Sequence, residues 1–166
     1  MGVYLNKLII TIDGPSGSGK ERIAKYISKK YKLFHLDSGI LYRRLAAIFS
    51  KRDVNLNDEQ NIKKILNSLT ILSHRRHLDL RNEEIGKKAS IIATKQTVRN
   101  FINKQQRLVV NKILQKFKGC VIDGRDIGNK VFKNAQIKLF IDVNVEIRAK
   151  RRHKQLIRLG EKSIYS

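Results

Sequence analysis

The chain has 166 residues, 41% of them hydrophobic, with 36 lysines and arginines against 14 aspartates and glutamates, a formal net charge of +22. The hydrophobic share excludes wholesale disorder, and no apolar run approaches the roughly 18–20 residues that cross a bilayer. The charge calls for partners that carry phosphate, either nucleotide or nucleic acid, although lysines spread over almost every segment equally describe a compositional bias. Nucleic acid is therefore not the expected main partner. The arginines are fewer and more clustered. They are the better guide to specific phosphate sites, because only a guanidinium offers a rigid bidentate fork. The single cysteine, Cys120, has no internal partner, which fits a reducing, cytoplasmic setting. The N-terminus lacks a signal-peptide layout, since Leu8–Ile12 is short and runs into Asp13. His35, His74, His77 and His153 are scattered without zinc spacing and are read as structural.

In chain order, residues 7–12 form an apolar strand, and Gly14, Gly17 and Gly19 make a glycine-dense turn ending at Lys20. A helix over 20–31 follows, with Ile23, Ala24, Ile27 and Tyr31 on one face. Residues 33–36 read as a second strand ending at Asp37-Ser38-Gly39, and Ile40, Leu41, Leu45, Ile48 and Phe49 are spaced for the next helix. This β-loop-α-β-loop-α order predicts an α/β fold with a parallel sheet flanked by helices, whose ligands bind beyond the carboxyl ends of the strands. Asp58 is placed to cap a helix over 59–69. Residues 70–82 read either as two short strands, 69–72 and 77–80, or as a loop. Helices are expected over 83–94 and 98–117. A short buried strand, 120–122, then ends in Asp123-Gly124-Arg125-Asp126. Residues 127–132 are loop or a helical turn, 137–143 a fourth parallel strand, and 146–159 an arginine-studded helix.

Three places carry chemistry. Gly14, Pro15, Ser16, Gly17, Ser18, Gly19 and Lys20 lie between a strand and a helix, as in a phosphate-binding loop. Glycines let backbone N–H groups converge on phosphate oxygens, and the lysine adds a point charge. The next position normally supplies a hydroxyl to Mg²⁺, but here Glu21 stands there, followed by Arg22. Asp123 ends an apolar strand, either as a carboxylate for Mg²⁺ or as a turn-forming Asp-Gly. Arg148, Arg151 and Arg152 share one helix face, so they either meet an anion or form a solvated basic face.

Four motifs in order closely resemble bacterial cytidylate kinase, the CMP/dCMP kinase branch of the nucleoside monophosphate kinases. They are Asp13 to Lys20; Leu36-Asp37-Ser38-Gly39 with Tyr42-Arg43; Asp123-Gly124-Arg125-Asp126-Ile127-Gly128 with Val131-Phe132; and Glu146 to Arg152. Leu80-Arg81, Ala89-Ser90 and Val98-Arg99 also fit the family's middle section. The resemblance implies a P-loop NTPase fold of the nucleoside-monophosphate-kinase kind, and transfer of the γ-phosphoryl group of ATP to CMP or dCMP with Mg²⁺. It implies that residues 14–20, Arg151 and Arg152 hold ATP. Ser38, Arg43 and Arg99 would bind CMP, with Arg125 and Asp126 facing its cytidine part. Lys20, Arg125, Asp126 and Arg148 would be the catalytic set, with Asp123 a weak metal candidate. Residues 1–166 would form one kinase domain, 53–98 a CMP-binding insert and 146–166 the start of a lid, in a monomer that acts away from membranes.

The chain departs from the family pattern at Glu21-Arg22, in an insert shortened around Ser73–Leu80, and at its end, where the family continues into the rest of the lid and a last strand. These departures lead to the expectation of impaired activity and a bare sheet edge. The alternative is a catalytically inactive basic nucleotide- or RNA-binding module. A third reading is a truncated reading frame without function.

Overall fold

The structure, a computed structural model, describes residues 7–70, 72, 73, 80 and 82–158, except for the side chains of 152, 155, 156 and 158. The expected strand over 77–80, and Arg81, fall largely or wholly outside the described residues, as does the end of the expected lid.

The described chain forms two compact units, 7–35 with 118–158 and 36–117. The first holds most of a four-stranded sheet. Its strands are β1 (Leu8–Asp13), β2 (Phe34–Asp37), β3 (Gly119–Gly124) and β4 (Ile137–Phe140), in the order β2-β3-β1-β4. β1 pairs in parallel with both β3 and β4. Parallel neighbours need long crossovers, and residues 38–117, nearly all of the second unit, lie between β2 and β3 in the chain. β3 is buried throughout, as a central parallel strand should be. β4 is shorter than the expected 137–143 and sits at an edge, where Phe140 is 70% exposed.

Helix α1 (Lys20–Tyr31) packs Ala24, Ile23 and Ile27 on Ile10, Ile12 and Val121 of the sheet. Glu21 in its first turn and Lys29 and Lys30 in its last complement the helix dipole. The helix stops because Lys32 adopts φ 54, which lets the Leu33 N–H reach back to Ser28 O at 2.9 Å. Tyr31, expected on the apolar face, is exposed instead, with Lys30 Nζ 5.7 Å from its ring centre. Its hydroxyl favours solvent, which suits the last turn of the helix. Residues 127–131 form a single wide turn in which the Phe132 N–H reaches Ile127 O, five residues back. Helix α2 (Val145–Arg158) ends the described chain.

The second unit is a helical cluster: α3 (Gly39–Lys51), α4 (Glu59–Ser68), α5 (Glu83–Ile92) and α6 (Gln96–Lys116). Its core joins Leu41, Leu45 and Phe49 to Ile62, Leu66, Ile92, Val98 and Ile102, all buried. The spacing of these residues is helical, and their burial is what makes the short helices stable. Asp58 caps α4 by accepting from the Asn61 N–H at 2.9 Å, as expected from the sequence. Asn82 caps α5 in the same way, through the Ile85 N–H at 2.8 Å. The expected insert, 53–98, lies inside this unit.

Candidate functional site

In the first unit the sheet register places the phosphate loop. Asp13, the last residue of β1, lies opposite Gly124 of β3 and Phe140 of β4. The loop, the Gly124-Arg125-Asp126 segment and the chain after β4 thus leave the sheet along one carboxyl edge, where open α/β sheets bind ligands. Gly17 (φ 76) and Gly19 (φ 93) occupy the left-handed region, which allows the sharp turn into α1. Ser18 N donates to Pro15 O at 3.3 Å, and Lys20 Nζ folds back on the same carbonyl at 3.0 Å.

Two of the three expected lid arginines lie against this loop. Arg151 donates to Ser18 O at 3.1 Å and to Gly17 O at 3.5 Å. Arg148 is anchored through Nε to Val143 O at 3.0 Å, with another guanidinium nitrogen 3.5 Å from Ser16 O. The backbone packs tightly here too. A Cβ on Gly17 would stand 3.0 Å from Arg148 O, and one on Gly14 would stand 2.5 Å from Ile141 O. The basic face of α2 therefore meets the phosphate loop. The Arg152 side chain lies outside the described residues.

Three carboxylates at the same edge are already engaged. Asp13 accepts from the Ile127 N–H at 2.7 Å and the Gly128 N–H at 2.8 Å, pinning the wide turn to the start of the loop. Asp126 (φ 56) meets Lys130 Nζ at 2.6 Å, and Arg125 beside it is exposed. Asp123 Oδ1 lies 2.5 Å from His35 Nε2, with both side chains nearly buried. His35 was read as structural and Asp13 only as part of a motif. The position of His35 inside a short strand that ends at the sheet edge was the one local signal for a partner.

In the second unit, Ser38 is buried at the start of α3. Arg43 on that helix donates to Leu80 O at 2.8 Å and Asn82 O at 3.2 Å. Its guanidinium passes over Gly86, where an added Cβ would stand 3.0 Å from Nη2. Arg99 is braced by Gln96 Oε1 at 2.6 Å and Ala93 O at 3.3 Å. Burial raises the Tyr42 hydroxyl pKa above 10.0, while the Arg99 charge pulls it the other way. This places Tyr42 within the electrostatic reach of Arg99. Neither Tyr42 nor Gly86 was named as a site residue in the sequence reading.

The donor set does not fit a protein-held Mg²⁺. Where a hydroxyl should follow the loop lysine, the Glu21 carboxylate pairs along the helix with Lys25 Nζ at 2.8 Å. Among the described residues the Ser18 hydroxyl is buried and finds no hydrogen-bond partner, but it lies 3.1 Å from where a Cβ on Gly14 would stand, inside the loop. Asp13 and Asp123 are bound as described, and among the described residues no group of three or more His, Cys, Asp or Glu side chains converges as a metal site.

A glycine loop between β1 and α1, on a sheet with parallel pairs and α1 packed on its face, defines a P-loop nucleotide-binding protein of the α/β class. A family model described as cytidylate kinase matches residues 10–166. The chain is 38% identical to a cytidylate kinase from Nitrosomonas eutropha, covering 92% of this chain and 70% of that one. It is 40% identical to one from Paraburkholderia phymatum, over 92% and 68%. It is also 37% identical to a bifunctional pantoate ligase/cytidylate kinase from Prochlorococcus marinus, covering 95% of this chain and 33% of that protein. A solved structure of TT1252 from Thermus thermophilus aligns over 95% of this chain and 75% of that one, with 19% identity and a TM-score of 0.48. The chain belongs to the cytidylate kinase family. It spans a third of the bifunctional relative and about 70% of the single-function ones. Among the described residues, no helix is long and apolar enough to cross a membrane.

Proposed function

We propose that this chain transfers the γ-phosphoryl group of ATP to CMP or dCMP, giving ADP and CDP or dCDP. The observation that carries the reading is the phosphate loop with Arg148 and Arg151 against its carbonyls. An anion entering the loop exchanges those carbonyls for phosphate oxygens, which are stronger acceptors for guanidinium. A phosphate oxygen of the acceptor nucleotide attacks the γ-phosphorus, and the bond to the β,γ-bridging oxygen breaks. ADP leaves with that oxygen's negative charge. Such a transfer needs positioning and charge neutralisation more than a general base. In this reading Lys20, Arg148 and Arg151 neutralise the donor phosphates, with Arg152 assigned beside them by resemblance. Ser38, Arg43 and Arg99 hold the acceptor, and Arg125 and Asp126 face its base and sugar. Loss of either Arg148 or Arg151 reduces kcat by about 10²–10³.

With Glu21 in place of the hydroxyl, turnover falls below the 1–100 s⁻¹ or so that is usual for kinases. An assay coupling ADP release to a chromophore, run with CMP, dCMP, UMP and AMP in turn, tests both parts. Equal turnover with AMP overturns the acceptor assignment. Turnover with CMP inside the usual range overturns the impairment. The inactive-module reading is upheld if RNA binds with steep salt dependence and no acceptor turns over.

A further inference from the structure

We infer that the phosphate loop of this protein binds the donor nucleotide without a protein ligand to Mg²⁺, the positive charge coming from Arg148 and Arg151 instead. The inference rests on the reading of residues 14–20 as the donor site and deepens it.

Three observations carry it. First, the carboxylate that replaces the hydroxyl is not directed at the loop alone. Glu21 Oε1 is held 2.8 Å from Lys25 Nζ, one turn further along α1. A metal ion would have to compete with that pair and with the helix N-terminus, which favours a carboxylate close to it. Second, Asp13 and Asp123, near the carboxyl ends of β1 and β3, have their own partners. Asp123 is engaged by His35 at 2.5 Å, and both oxygens of Asp13 accept from backbone N–H groups. Mg²⁺ gives up water reluctantly and is normally held by one or two carboxylates or hydroxyls besides the phosphates, so a loop whose lysine is followed by Glu21 rather than a hydroxyl, beside carboxylates held elsewhere, adds little to its binding. Third, positive charge is at hand. The Arg151 guanidinium is 3.1 Å from Ser18 O and stands 3.5 Å from where a Cβ on Gly19 would be, directly over the turn that opens toward phosphate. Arg148 stands next to it, 3.5 Å from Ser16 O. Guanidinium groups neutralise phosphate oxygens without demanding octahedral geometry.

ATP affinity, measured by titration calorimetry on the full chain in EDTA and again with excess Mg²⁺, tests this in the absence of acceptor. The two dissociation constants are expected to agree within about threefold, against tenfold or more for a loop that ligates the ion. Arg151→Ala should weaken binding in EDTA by at least about tenfold. Glu21→Thr, which returns a hydroxyl to the position, should make Mg²⁺ strengthen binding by about tenfold. Circular dichroism of each variant checks that it is folded. Tighter binding of ATP to the unaltered chain by tenfold or more on adding Mg²⁺ overturns the inference and leaves the loop assignment standing. An absence of ATP binding in both media overturns the loop assignment and the inference with it. If Arg151→Ala leaves the affinity in EDTA unchanged, the charge assignment is overturned.

Discussion

Single residues at the carboxyl edge of the sheet are fixed by contacts that span most of the chain. Asp13 and the turn at 127–128 are more than a hundred residues apart, yet two short bonds from one carboxylate hold them. Asp13→Asn keeps the shape but turns an NH₂ group toward one of those N–H donors. The buried donor left unsatisfied costs about 1–3 kcal/mol, read as a lower urea midpoint with an unchanged slope. Cys120 lies in the buried β3, and burial pushes its thiol pKa up from 9.0 to about 12. The folded state therefore keeps its proton where the unfolded thiol has lost it. The contribution to stability is full below the unfolded value and declines as pH rises from about 9 to about 12. The same burial predicts that the native thiol does not react with a disulfide reagent at pH 8, whereas the protein unfolded in guanidinium reacts at once. Rapid labelling of the native chain would contradict the burial. His35 and Asp123 show why local reading missed a partner: the two residues are 88 positions apart and meet only because β2 and β3 are neighbours in the sheet.

The helices of the second unit hold the expected acceptor arginines in place. Arg43 reaches from α3 to the Leu80 and Asn82 carbonyls, where α5 begins, and crosses that helix at Gly86 because there is no side chain in the way. Gly86→Ala places a methyl group 3.0 Å from Arg43 Nη2, tight enough that one of the two must give by a few tenths of an ångström, and the flexible arginine yields first. The expected result is a CMP KM raised by about three- to tenfold, with a much smaller change in kcat, because ground-state binding is what is disturbed. Alanine's higher helix propensity should at the same time stabilise α5 by up to about 1 kcal/mol. An unchanged KM alongside a raised melting temperature would separate Arg43 from acceptor binding. The helices themselves were legible because each carries its apolar residues at helical spacing and, at Asp58, its own cap. The cap at Asn82 and the passage over Gly86 were not, since the first stood beside an ambiguous stretch and the second depends on where α3 lies against α5.

At the scale of the whole molecule, a net charge of +22 meets an apolar sheet edge. Ile137 and Phe140 on β4, and Val145 and Ile147 after it, are exposed among the described residues. An edge strand with exposed apolar side chains favours pairing with another chain, while like charge keeps copies apart until salt screens it. Sedimentation should show a monomer at low ionic strength and growing self-association as NaCl is raised toward about 0.5 M, where the Debye length is only a few ångströms. Phe140→Lys should abolish that growth. Association that instead weakens with salt would point to charge rather than the edge. The α/β class, the position of the phosphate loop, most helix and strand positions and the family were legible along the chain. All of these follow from local periodicity, glycine spacing or motifs read along the chain. Which carboxylates are engaged, the pairing of Glu21 along its helix, and the meeting of Arg148 and Arg151 with the loop emerged from the folded chain. Those outcomes rest on side chains brought together from distant positions by the register of the sheet, and spacing along the chain does not encode which of them meet.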